Sequence, residues 1–267
     1  MPIEQKQNDG AIKTEEETKQ QGRVNIQLTK RDLDIFEFVL EMKFADLNTI
    51  HQKFFSHLQS GKISVSSWWA RERLALLRQH GFLRTVRFTF SGKTYFLATE
   101  LAHVALTNMR IERSFVRPVQ GIDVRTFEHD LRVIEARLAL ERLGRAANWV
   151  PERRLKSDLA LASGLSRQYQ PDAIYQNKHG EMMAFELEIS PKKKERYAEK
   201  LRKYLDVIRQ AETQGGPGFR GALFVVCHDH VFNILSELTR RHEGKFRIER
   251  FDELVGGAPA AEKQEVG

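Results

Sequence analysis

Residues 170–189 constrain this chain more than any other stretch. Gln170-Pro171-Asp172-Ala173-Ile174-Tyr175 leads into a turn through Asn177 and Gly180, and then into Ala184-Phe185-Glu186-Leu187-Glu188-Ile189. The second run alternates strictly: Phe185, Leu187 and Ile189 fall on one face, and Ala184, Glu186 and Glu188 on the other, which is the period of a half-buried strand. Antiparallel pairing across the turn brings Asp172 toward the end of the strand that holds the two glutamates. Three carboxylates then converge, and like charges packed together are costly unless a cation neutralises them. Hard oxygen donors point to Mg²⁺ or Mn²⁺ as that cation. An isolated Glu-x-Glu pair is more often a solvated strand face. The Pro-Asp start and the basic segment that follows favour a site instead.

That segment, Pro191-Lys192-Lys193-Lys194-Glu195-Arg196-Tyr197, runs into a helical pattern of Ala198, Leu201, Leu205 and Ile208. Cations directly behind a metal-binding acidic face suit a phosphodiester. The metal polarises the phosphate and activates water, while Lys and Arg hold the backbone. Lys192, Lys193 and Lys194 are the candidates.

Charge extends the same reading to the other end of the chain. The net charge is +7 over 267 residues, and residues 23–120 carry 15 Lys/Arg against 8 Asp/Glu while residues 125–267 are close to balance. A regional basic excess is the footprint of a module that binds nucleic acid. Within it, Thr29 and Asp32 form a helix start before Leu33, Phe36 and Leu40. A second helix begins near Asn48 and buries Ile50, Phe54 and Phe55. A third, Trp68 to about Gln79, turns Trp68, Leu74 and Leu77 inward and stops at Gly81. Two extended runs follow, Phe82–Phe90 and Thr94–Leu97, joined by Ser91-Gly92-Lys93. Three short helices and a hairpin are the order of a winged helix, whose third helix enters the major groove. Arg71, Arg73 and Arg78 on that helix, with Arg84, Arg87 and Lys93 on the hairpin, are the expected DNA contacts. A further helix from Glu100 packs Leu101, Val104, Ala105 and Met109 inward.

The expected organisation is a disordered tail over 1–24, a winged-helix domain over 25–114, a connection over 115–124, a second domain over 125–255 and a disordered tail over 256–267. The second domain opens with a helix, Phe127 to Gly144, that carries His129 and Glu135. Glu135 is placed to complete the metal site, and Glu128 to pair with Arg132 or Arg142. A strand over Trp149–Leu155, a flexible run around Ser163-Gly164, the central hairpin, the basic helix and a buried strand over Gly221–Cys227 complete an αβββαβ order, a mixed sheet flanked by helices. His228-Asp229-His230 also admits a metal, but Asp229 at a strand-to-helix junction fits a helix cap better. Cys227, the one cysteine, reads as a buried strand residue. With no apolar run near the roughly 20 residues of a membrane span and no signal-peptide pattern, a cytoplasmic protein without membrane contact is expected.

The hairpin resembles the PD-(D/E)XK nuclease superfamily, with Asp172 at the Asp of Pro-Asp and Glu186 at the acid of the second half-motif. Glu188 stands where that pattern has Lys. A winged helix followed by His129-x5-Glu135, Pro171-Asp172, Phe185-Glu186-Leu187-Glu188 and Lys200-Leu201-x2-Tyr204 resembles, over roughly residues 28–235, the replication-relaxation family, whose relatives include MobC-type plasmid relaxases. That resemblance implies an α+β protein: an N-terminal winged-helix domain followed by a restriction-endonuclease-like mixed-sheet α/β domain. It implies a metal-dependent nickase that acts on double-stranded DNA at a plasmid transfer origin, beside relaxosome or coupling proteins. Asp172, Glu186 and Glu188 would bind the metal. Glu135 would complete or orient the site, His129 would position water or phosphate, Lys192, Lys193 or Lys194 would supply the missing cation, and Tyr169, Tyr175 and Tyr197 are open as nucleophiles. The competing expectations are an inactive DNA-binding accessory or regulatory protein, argued from the missing motif lysine, and a restriction-type nuclease.

Overall fold

Helix α1, Lys30–Met42, starts where the sequence places a cap: Thr29 and Asp32 form a reciprocal capping box, with Thr29 N donating to Asp32 Oδ2 at 2.7 Å. The computed structural model describes residues 26–56, 64–110, 115–158, 170–214, 219–242 and 244–257. The expected tail over 1–24, nearly all of the expected tail over 256–267, the run around Ser163-Gly164, Tyr169 and most of the loop after Gln214 lie outside the described residues.

After α1 come β1 (Ala45–Asp46), α2 (Leu47–Phe54), α3 (Trp68–Gln79), β2 (Leu83–Arg87), β3 (Thr94–Ala98) and α4 (Glu100–Met109). Strands β2 and β3 form an antiparallel hairpin, and the two-residue β1 pairs with the outer side of β3, giving the order β1-β3-β2. Asp46 ends β1 and caps α2, accepting from Thr49 N at 2.8 Å.

Two helix faces differ from expectation. On α3 the inward residues are Ala70, Leu74 and Leu77, while Trp68 is 53% exposed. At 100° per residue Trp68 lies opposite Leu77, so the two cannot share a face. On α4 the buried residues are Ala102, His103 and Leu106, and Leu101, Val104 and Met109 are about half exposed. Two apolar stripes one residue out of phase both satisfy the helical period here. The one with small Ala102 lies against α1, and His103 Nε2 reaches Phe115 O at 3.2 Å.

The remainder runs α5 (Phe127–Arg142), β4 (Ala147–Pro151), α6 (Glu152–Ser157), β5 (Ala173–Gln176), β6 (Met182–Glu188), α7 (Lys194–Gln214), β7 (Gly221–Val226), α8 (Asp229–Thr239), β8 (Phe246–Arg250) and α9 (Phe251–Gly256). Five strands form one mixed sheet in the order β4-β5-β6-β7-β8, antiparallel from β4 to β6 and parallel from β6 to β8. The molecule is therefore α+β. The expected strand Trp149–Leu155 stops at Pro151, and Leu155 sits on the short α6, fully buried. Asp229 is inside α8 rather than at its cap, which is His228. Cys227 lies one residue past β7 and is half-buried. Strand β8 and α9 add a parallel edge that the sequence reading lacked. Gly221 opens β7 where a Cβ would come within 2.5 Å of Lys245 O, so no side chain fits.

The sheet is buried on both faces, which explains why β6 is apolar or enclosed at almost every position. Phe185, Leu187, Leu223 and Val225 join the core under α5. Ala184, Ala222, Phe224 and Val226 join a second core with Tyr197, Leu201 and Tyr204 of α7 and Val231 and Leu235 of α8. The first core runs without a break into the N-terminal helices. Packed against it, half-buried Phe127, the first residue of α5, contacts Phe88 (centroids 4.0 Å), Phe44 (5.4 Å) and Tyr95 (5.5 Å). The connection over 115–124 is held in its first half, where Val116 is buried and Arg84 donates to Val119 O at 3.0 Å and Gln120 O at 2.6 Å.

Candidate functional site

The turn between β5 and β6 sets the register that builds the site. Ala173 pairs with Phe185, so Asp172, just before β5, reaches the last turns of β6, and Leu187 N donates to Asp172 Oδ2 at 2.7 Å. His129 comes from the first turn of α5, with Nε2 3.3 Å from the same oxygen. Burial favours the neutral imidazole, but Asp130 and Asp172 outweigh it and lift the His129 pKa to about 10. The ring is an imidazolium at neutral pH. Asp172 is in turn held below the ordinary carboxylate range, His129 and the Leu187 amide overcoming the effect of burial.

Glu186 and Glu188 lie on the face of β6 that α7 covers, and are only 4% and 1% exposed. Burying two carboxylates two residues apart requires compensation, and α7 supplies it. Lys200 Nζ donates to Glu186 Oε2 at 2.8 Å and to Glu188 Oε1 at 2.6 Å. Tyr204, one turn on, donates its hydroxyl to Glu186 Oε1 at 2.6 Å. Lys192, from the loop before α7, closes the set with Nζ 2.6 Å from Glu188 Oε2. Even so, burial and the charge of Asp172 push Glu186 up to about 7 against the pull of Lys200 and Tyr204. The same two glutamates raise Lys200 against its own desolvation. Asp172, Glu186, Glu188, His129, Lys192 and Lys200 line one cleft of about 270 Å³.

The three carboxylates expected from the hairpin thus share a cleft, together with His129 and Lys192. Among the described residues, no three His, Cys, Asp or Glu side chains are drawn close enough to cage a metal ion. The donor set is nonetheless of the hard-oxygen kind that Mg²⁺ and Mn²⁺ take, and Lys200 supplies positive charge between the two glutamates. Lys200 and Tyr204 were part of a sequence motif without a role. The available signal was Lys200 itself, a cation on the buried Tyr197-Leu201-Tyr204 stripe of a helix that follows an acidic strand.

Glu135 is not in the cleft. It lies two turns further along α5, half-buried, where burial raises its pKa while Arg132 and Lys93 lower it and Asp46 raises it. Six residues from His129 place it about 120° round the helix, facing the N-terminal region. Glu128 pairs with Arg132 at 3.0 Å. Tyr175 is a core residue stacked on Trp149, its hydroxyl pushed up to about 12 by burial. Tyr197 is 1% exposed, and its hydroxyl accepts from Lys192 N at 3.0 Å. Neither is poised as a nucleophile. In the His228-Asp229-His230 run, His228 Nε2 lies 3.1 Å from Ile189 O and Asp229 accepts from Arg250 Nε at 2.7 Å.

The basic side chains divide. Arg71 and Arg78 on α3, and Arg87 and Lys93 on the hairpin, are exposed, Lys93 standing 3.9 Å from Asp46. Arg73 is not available as a surface contact. Its Nε donates to Asp32 Oδ1 at 2.8 Å and its Nη2 to Gln27 O at 2.9 Å, and Asp32 is fully buried. Arg84 is spent on the connection, as described above. Lys193 is exposed, and Lys194 pairs with Glu237 of α8 at 2.8 Å. Among the described residues no helix is long and apolar enough to cross a membrane. No family model, curated protein or solved structure matches this chain.

Proposed function

We propose that this chain is a DNA-binding, metal-dependent endonuclease that nicks one strand, as a relaxase does at a plasmid transfer origin alongside relaxosome or coupling proteins. The observation that carries the reading is the cleft in which Asp172, Glu186 and Glu188 meet Lys200. Lys200 gives a nuclease-like site the cation that Glu188 displaces from the strand. Support on the N-terminal side comes from three helices and a hairpin in winged-helix order, with Arg71, Arg78 and Arg87 exposed. The mixed sheet with helices on both faces suits a restriction-endonuclease-like region.

In this reading Asp172, Glu186 and Glu188 would hold Mg²⁺ or Mn²⁺. When bound, such a metal polarises the phosphate and makes water acidic enough to attack it. Lys200 and Lys192 offer ammonium groups for the phosphate oxygens at the cleft. His129 holds Asp172 ionised and fixes its orientation. The buried Glu186 carboxylate, near neutrality in its pKa, is relieved by any further positive charge in the cleft.

One observation favours a second reading, an inactive accessory or regulatory protein. All four oxygens of Glu186 and Glu188 already accept from Tyr204, Lys200 or Lys192. The experiment that separates the readings is incubation with supercoiled plasmid carrying the native locus, in Mg²⁺, Mn²⁺ or EDTA, beside a gel-shift assay. Metal-dependent open circles that Glu186→Gln abolishes, with DNA still shifted, are expected. Shifted DNA without conversion favours the accessory reading. Linear product would indicate a restriction-type enzyme, and no shift would remove all three.

A further inference from the structure

The outward face of α3 carries a surface that a purely electrostatic contact with duplex DNA does not require. Trp68 and Trp69 are 53% and 66% exposed, their rings edge to face with centroids 4.5 Å apart. Large aromatic rings are ordinarily buried, and an exposed cluster marks an interaction site. Counting 100° per residue, Ala75 lies about 20° from Trp68, Arg71 about 60° and Arg78 about 80°, all on the side away from the buried Leu77. One face therefore presents the Trp68 indole, flanked on one side by two guanidinium groups and a small residue that permits close approach, and on the other by Glu72 about 40° away and Trp69 about 100° away. Glu72 is the one acid on this helix. A third exposed ring, Phe90 at 78%, stands in the β2–β3 turn between the exposed Arg87 and Lys93.

An apolar protein surface would leave the two arginines of this face without partners. Intact duplex keeps its base faces closed to an indole. Unpaired bases satisfy both chemistries, because every base has a ring face that stacks on an aromatic side chain while its phosphate takes an arginine. We infer that this face of α3 engages unpaired nucleobases, so that the preferred partner is DNA containing a short unpaired stretch beside duplex, with Trp68 and Trp69 as the stacking residues. The inference rests on the DNA-binding reading above and specifies its substrate.

Of the three tryptophans, Trp149 is only 4% exposed, so quenching of indole emission by a nucleic acid reports on Trp68 and Trp69. The full chain is titrated with labelled oligonucleotides of one sequence: an intact duplex, the same duplex with a short central mismatch bubble, and the single strand. The bubble should bind at least about fivefold tighter than the intact duplex for each base stacked, with quenching. Trp68→Ala combined with Trp69→Ala should erase that preference and leave duplex affinity in place. Trp68→Phe with Trp69→Phe, which keeps a ring at each position, should retain most of it. Equal affinity for bubble and duplex without quenching overturns the inference while leaving DNA binding intact. Altered self-association in the alanine variant with an unchanged bubble preference would identify a protein interface and also overturn it. Failure to bind any of the three DNAs defeats both this inference and the reading beneath it.

Discussion

Replacing Lys200 with Met keeps most of the aliphatic stem and removes the ammonium that holds Glu186 and Glu188 and stands 5.8 Å from the Phe224 ring centroid. The wild-type ammonium makes hydrogen bonds of 2.8 and 2.6 Å to two carboxylates that are 4% and 1% exposed. Charge-assisted bonds are worth about 1.5–3 kcal/mol each, and freeing a lysine returns up to about 2 kcal/mol of side-chain entropy. Breaking a buried pair from one side costs about 3–5 kcal/mol, and a loss of about 3 kcal/mol is expected at pH 8. The sign of its pH dependence follows from Glu186. Its folded pKa, about 7, already lies above the ordinary 4.5, and losing Lys200 raises it further. Below about pH 4.5 the carboxyl is protonated in folded and unfolded chains alike, so it no longer needs the lysine. Up to about pH 7 it is also protonated in both folded proteins, so the penalty opens only as pH rises above 7, where wild-type Glu186 ionises beside Lys200, and is full above the variant's higher pKa. Urea denaturation of both proteins at pH 5 and pH 8 measures it. Under the metal reading, Mg²⁺ should restore more stability to Lys200→Met than to wild type, because it replaces the missing charge. A difference under 1 kcal/mol at pH 8, or one that does not change with pH, would refute the account of the cleft.

Four further outcomes follow from the same geometry. Arg73→Ala should destabilise the chain by about 2–4 kcal/mol by stranding the buried Asp32, seen as a lower melting temperature. Arg71→Ala and Arg78→Ala should leave melting unchanged and instead weaken DNA binding, each reducing the slope of log K against log salt by about one. His129→Gln should remove stability that is complete below about pH 6.5 and fades as pH rises through about 10, because the folded-state pKa is raised; denaturation at pH 6 and pH 10 would give a large and a small difference from wild type. Phe127→Ala should cost about 2–3 kcal/mol, somewhat under the usual figure for a fully enclosed ring, since Phe127 is only partly buried; thermal melting checks it.

Much of this arrangement was legible in the sequence, for identifiable reasons. Strict alternation through Phe185, Glu186, Leu187 and Glu188 fixed the faces of β6, and the Asn177–Gly180 turn fixed which end Asp172 would meet. Thr29 and Asp32 announced α1 because a capping box is a local motif. What escaped the reading depended on distant partners. The β6 alternation suggested a half-exposed strand, yet both faces are enclosed, because nothing local says that α7 folds back over the acids. Arg71 and Arg73 lie about 160° apart on α3, and nothing local says that the buried Asp32 sits beside one of them. Glu135 shares a helix with His129, but the helix rotates it toward Lys93 and Asp46. The phase of α4 was ambiguous because both of its stripes are apolar.

Phe127 carries a consequence for how such a chain can be cut or recombined. It is the first residue of α5, two positions before His129, and its ring is seated among Phe44, Phe88 and Tyr95. Severing the chain anywhere in 115–124 would empty that seat on one fragment and bare the ring on the other, with Asp130 deprived of Lys43 at 2.6 Å. The halves are therefore poor units of exchange. A gene rearrangement that grafted a different N-terminal module onto this sheet would inherit the acids intact but loosen the start of the helix that steers His129 onto Asp172, and expressing either half alone should yield sticky, poorly folded material.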